Sequence, residues 1–90
     1  MMQGTFIELL SQGLIDKIEV HETTPSKGKP RDVGNDIWIL VIILLNGNVT
    51  KLLSSRGSQR EWASLDTLSG WLKANGISKY QIFHKEKVLK

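Results

Sequence analysis

Ninety residues, 40% of them hydrophobic and 23% charged, have room for one core and carry too much apolar content for wholesale disorder. The absence of cysteine excludes disulfides, thiol nucleophiles and thiolate metal sites together. The formal net charge of +3 sits in residues 79–90, where Lys79, Lys85, Lys87 and Lys90 face Glu86 alone; a tail this mildly basic attracts anions weakly and without specificity.

Met1-Met2-Gln3-Gly4-Thr5 lacks the basic region and apolar core of a signal peptide. Next, Thr5-Phe6-Ile7-Glu8 fits a capping box, which predicts a helix over about residues 6–12. Phe6, Ile7, Leu9 and Leu10 would form its apolar face, and Gly13 its C-terminal stop. Over residues 15–21, Ile18 and Val20 alternate with Lys17, Glu19 and His21, the pattern of a half-buried strand.

Residues 22–36 hold both prolines and have no periodicity, so they are expected to form a long flexible loop. Its cations Lys27, Lys29 and Arg31 are matched in number by Glu22, Asp32 and Asp36, which favours a connector over a phosphate grip.

The strongest local signal is a hairpin over about 37–55: an apolar run at 37–45, the turn Asn46-Gly47-Asn48, and a β-prone run at 49–55. The apolar run is too short to span a bilayer, which takes about 20 residues as a helix. A soluble cytoplasmic protein with no membrane contact is the expectation. Both faces of this strand are apolar, Ile37, Ile39, Val41, Ile43 and Leu45 on one and Trp38, Leu40, Ile42 and Leu44 on the other. Two helices can cover one face, so the other needs another chain, a substrate or the loop at 22–36. Trp38, Leu40, Ile42 and Leu44 are taken as the candidate partner interface, with a homodimer as the favoured arrangement.

A polar connection at 54–63 leads to Ser64, an N-cap for a helix over about 65–74 that packs Leu65, Leu68 and Leu72 and ends at Asn75-Gly76. A last strand is expected at about 79–84, then a frayed tail at 85–90. The whole is one α+β domain, order α-β-β-β-α-β, a mainly antiparallel sheet on the central hairpin with two helices on one face.

Chemistry is sparse. His21 and His84 are isolated in sequence, and no G-x-S-x-G elbow, P-loop or G-x-G-x-x-G stands in the chain. Neither an enzyme nor a cofactor or metal is expected. The serine-rich stretch 54–64 places Arg56 and Arg60 just before a helix start, which suits a phosphate or carboxylate, and Trp62 could stack on a base. Lys51, Arg56, Arg60, Trp62, Lys79, Lys85 and Lys87 are therefore the candidate anion or nucleic-acid contacts. The simpler alternative is a polar loop with Trp62 closing the core.

The first five elements share their order with double-stranded RNA-binding domains. The second helix here opens Ser64-Leu65-Asp66-Thr67, acidic and without the lysines that cross phosphates, so that function is not carried over. Arg56-Gly57-Ser58-Gln59-Arg60-Glu61-Trp62-Ala63-Ser64-Leu65-Asp66, with Trp71-Leu72 and the exit Gly76-Ile77-Ser78-Lys79-Tyr80, resembles the C-terminal half of small plasmid-encoded accessory proteins of the ParC type, found beside partition or replication genes. The resemblance covers about a third of the chain. It implies a small non-enzymatic accessory protein of a mobile element and supplies no catalytic residues. Protein–protein contact is thus the expected mode of action, with nucleic-acid binding through Arg56, Arg60 and the C-terminal lysines as the alternative.

Overall fold

A computed structural model of the chain describes residues 1–24 and 36–85. The elements run α1 (Gln3–Ser11), β1 (Ile15–Thr23), β2 (Ile37–Leu44), β3 (Val49–Lys51), α2 (Leu65–Ala74) and β4 (Gln81–Phe83). This is the expected α+β order. The sheet order is β3-β2-β1-β4, with β1–β2 and β2–β3 antiparallel and β4 parallel to β1, so the sheet is mixed. The parallel pairing follows from α2, whose residues carry the chain back across the sheet before β4 begins.

Helix α1 starts earlier than its sequence signal. Its N-cap is Met2 and no side chain caps it, so Thr5 lies inside the helix and the capping box at Thr5–Glu8 is not formed. The cause is the preceding backbone: Met2 forms a parallel bridge with Leu53, and the Met1 ammonium donates to the Lys51 carbonyl at 2.9 Å. With the chain anchored there, the first turn closes at once, Phe6 N–H on Met2 O at 3.0 Å. At the other end, Gly13 takes φ 71, Gly13 N–H reaches Leu10 O and Leu14 N–H reaches Leu9 O, which is a Schellman stop.

Strand β1 is longer than its alternation suggests and contains a bulge between Ile15 and Lys17. Strict alternation would send Ile15 to the face opposite Ile18. The extra residue, Asp16, reverses the phase, and Ile15 packs against the same core as Ile18 and Val20. Residues 22 and 23 of the expected loop belong to β1; residues 25–35 lie outside the described residues.

The β2–β3 hairpin is present, but its turn works differently from a two-residue Asn-Gly turn. Gly47 N–H bonds Leu44 O, Leu44 N–H bonds Asn48 O, and Gly47 alone of the turn residues has positive φ, at 90. That is a three-residue loop with glycine in the left-handed position. Asn46 contributes a side-chain bond, accepting from Asn48 N–H at 2.9 Å.

Strand β3 ends at Lys51, short of the expected residue 55. After Leu52, whose N–H bonds Leu40 O, the chain leaves the ladder at Leu53 and returns at Trp62, which exchanges both backbone bonds with Trp38 at 2.9 Å. Helix α2 has the expected cap, Ser64 Oγ accepting from Thr67 N–H, and the expected Schellman exit at Gly76, φ 79. Strand β4 is shorter than expected, and Lys85, assigned to the frayed tail, is held by side-chain contacts. Residues 86–90 lie outside the described residues.

One core forms between the sheet and both helices. Phe6 of α1, Leu68 and Leu72 of α2, Val20, Leu40, Ile42 and Leu52 are all at 0% exposure. Each such side chain contributes roughly 1.5–3 kcal/mol through burial. Trp71 stacks on Phe6 with centroids 5.9 Å apart and tilts against Trp62 at 5.6 Å.

Candidate functional site

The register of β1 on β2 decides which face the helices cover. Ile18 pairs with Ile42 and Val20 with Leu40, and these even positions enter the core. Trp38, Leu40 and Ile42 are buried there, and Leu44 packs against them. The expected partner interface is therefore the wrong face. The alternation of β1 fixed the phase: its apolar residues face the helices, and the strand paired to it must present the positions in register with them.

The helix-free face consists of the odd positions. Ile37, Ile39, Val41 and Ile43 run down β2, with Thr23, His21, Glu19 and Lys17 paired beside them on β1. Val49 and Lys51 of β3 pair with Ile43 and Val41 on the other side. Phe83 of β4 lies in the row of His21, and the two rings stack with centroids 4.7 Å apart. His21 Nε2 also shares a hydrogen bond with Glu19 Oε1 at 2.9 Å. Ile39 and Val41 are 5% and 8% exposed but stand outside the core cluster, whereas Val49 and Phe83 are 65% and 42% exposed. The face is thus an aliphatic stripe with exposed apolar ends and a charged residue on each side of Val41.

A second feature lies where the chain leaves the edge of the sheet. Residues 53–59 form a small turn: Leu53 bridges Gln59, Ser54 N–H bonds Ser58 O at 2.7 Å, and Gly57 has φ 83. Between this turn and the start of α1 is a cavity of about 510 Å³ lined by Gln3, Ser54, Ser55 and Arg60 with Met2, Gly4 and Leu53; no carboxylate lines it among the described residues. Arg60 is oriented by its surroundings. Nη1 donates to Gln3 Oε1 at 2.9 Å, and the guanidinium lies 4.6 Å from the Trp62 ring centroid and 5.2 Å from that of Trp71.

The remaining candidates are dispersed. Trp62 is 6% exposed and closes the core, so its ring is not open to a base. Arg56 is exposed at the tip of the turn, its N–H on Ser54 Oγ. Lys51 is exposed on the helix-free face. Lys79 and Lys85 flank β4, at the opposite edge of the sheet from β3. Lys85 is engaged, its Nζ on Thr24 Oγ1 at 3.0 Å and Asp36 Oδ1 at 3.2 Å, and its N–H on Glu22 Oε1. Lys87 lies outside the described residues. These cations do not make one track.

Sequence reasoning missed the part played by Gln3 and by the two histidines. Both histidines stand at the β1–β4 seam, His84 edge-on to Trp38 at 5.5 Å and 3.6 Å from Glu22. The available signal was the alternation of β1, which places His21 off the core face. Among the described residues no three His, Cys, Asp or Glu side chains gather where a metal could be held, and no helix is long and apolar enough to cross a membrane. No protein-family model matches the chain, and no curated protein or solved structure matches it.

Proposed function

We propose that this chain is a small non-enzymatic accessory module that acts by protein–protein contact through the helix-free face of its sheet. One observation carries the reading: on the face opposite both helices, Val49 and Phe83 stand 65% and 42% exposed around an aliphatic stripe from Ile37 to Ile43 whose centre, Ile39 and Val41, is buried. A solvated sheet face carries polar residues at such positions, and exposed apolar side chains beside an apolar stripe commonly mark an interaction site. Val49 adjoins the stripe beside Ile43, and Phe83 lies across His21 from Ile39. The setting, maintenance of a plasmid or other mobile element, rests on the ParC-type resemblance at residues 56–66.

In-cell photo-crosslinking tests this. A photoreactive phenylalanine analogue replacing Val49 or Phe83 is expected to give protein adducts, and the same analogue at exposed Asp66 of α2 is expected to give none. Equal labelling at all three positions, or none at 49 and 83, overturns the reading.

The carboxylate-free cavity beside Arg60 favours a second reading, contact with nucleic acid through Arg56 and Arg60. Affinity for a labelled oligonucleotide should then fall about tenfold or more between 50 and 200 mM salt. It should also weaken on Arg56→Ala with Arg60→Ala. No binding at low salt removes this reading.

A further inference from the structure

The cavity between α1 and the turn at 53–59 holds a cation without a counterion. Among the described residues Arg60 makes one side-chain hydrogen bond, Nη1 to Gln3 Oε1, and no carboxylate pairs with it or lines the cavity. Its contacts with Trp62 and Trp71 engage the π surface of the guanidinium and not its donors. A guanidinium carries a fork of N–H donors, so most of its hydrogen-bonding capacity is left to whatever enters.

Two kinds of wall surround that charge. Ser55 has an exposed hydroxyl with no protein partner among the described residues, whereas Ser54 Oγ is occupied by Ser58 Oγ and the Arg56 N–H. Met2 and Leu53 are apolar, and Met2 stays 41% exposed. At about 510 Å³ the cavity falls within the range of roughly 300–1,000 Å³ that holds small ligands. The other cations form no track toward it, so the charge offered here suits a single anionic group and not the backbone of a polyanion. Ordering a long cationic side chain is a cost of binding. Here Gln3 and the two indoles have already set its direction, and an anion meets a fixed fork.

We propose that this cavity binds a small organic acid, with its oxyanion head, carboxylate or phosphate, on Arg60 and the Ser55 hydroxyl and its apolar body against Met2 and Leu53. The site is separate from the surface proposed for protein contact and needs no nucleic acid. A neutral molecule of the same shape would leave the cation unpaired, so the head decides recognition. The apolar wall adds affinity for the body.

Calorimetric titration of the full chain decides it, with hexanoate, hexyl phosphate, hexanol and inorganic phosphate as probes. One or both of hexanoate and hexyl phosphate should bind, and the tighter of the two identifies the head. Hexanol and inorganic phosphate should bind about tenfold more weakly or not at all. Arg60→Gln should weaken binding of the acid about tenfold or more. Gly4→Leu obstructs the cavity and leaves Arg60 in place: a Cβ on Gly4 meets nothing within 4 Å, and leucine suits a helix better than glycine. It should abolish binding with no loss of thermal stability. Binding of hexanol or inorganic phosphate as tight as that of the acids overturns the proposal. So does binding of the acid that survives either substitution in a chain shown by circular dichroism to be folded. An oligonucleotide that binds through Arg60 while neither acid does rejects the small acid and leaves the nucleic-acid reading standing.

Discussion

Strand β2 carries Trp38, Leu40 and Ile42 on one face and Ile39, Val41 and Ile43 on the other, and nothing in their hydrophobicity tells the two apart. The first set lies under α1 and α2 in contact with Phe6, Leu68 and Leu72. The second is bordered by Lys17, Glu19, His21 and Lys51 from the neighbouring strands. The difference is made next door, since β1 is apolar on one side and polar on the other. In a sheet, the face of a uniformly apolar strand is assigned by its partners.

Substitutions can probe that asymmetry. Leu40→Asn puts an amide into a fully buried site and leaves space behind, and should cost roughly 4 kcal/mol, read as a lower denaturant midpoint or outright unfolding. Val41→Thr, one residue away on the other face, keeps the volume and adds only a hydroxyl at a buried position, and should cost less, about 1–2 kcal/mol. Equal losses would mean that both faces are core. Ser64→Ala, which removes the α2 cap, should lower stability by about 1 kcal/mol. Thr5→Ala should change it by less than about 0.5 kcal/mol, since Thr5 does not cap α1. If Thr5 matched Ser64 in thermal denaturation, the anchoring of Met1 and Met2 could not be what starts α1. Val49→Asp should leave stability within about 0.5 kcal/mol and show its effect on association alone.

The fold was largely legible from the sequence, because its elements carry local signals: Gly13 and Gly76 as helix stops, Ser64 as a cap, Asn46-Gly47 as a turn. The site was less so. Period-2 reading assigns residues to faces but not faces to core or surface, and a strand apolar on both sides has no phase of its own; Trp38, Leu40, Ile42 and Leu44 were misassigned for that reason. The bulge at Asp16 and the pairing of Met2 with Leu53 were also hidden, since both depend on partners distant in the chain. Arg60 was found as a cation, but its seat over Trp62 and Trp71 could not be read from spacing alone.

Lys85 also joins three strands at one point. It reaches Thr24 just past β1 and Asp36 just before β2, while its own backbone N–H, at the end of β4, sits on Glu22. One residue therefore fixes where β1 ends, where β2 begins and where β4 stops, and the loss of its cation would be felt by all three strands together.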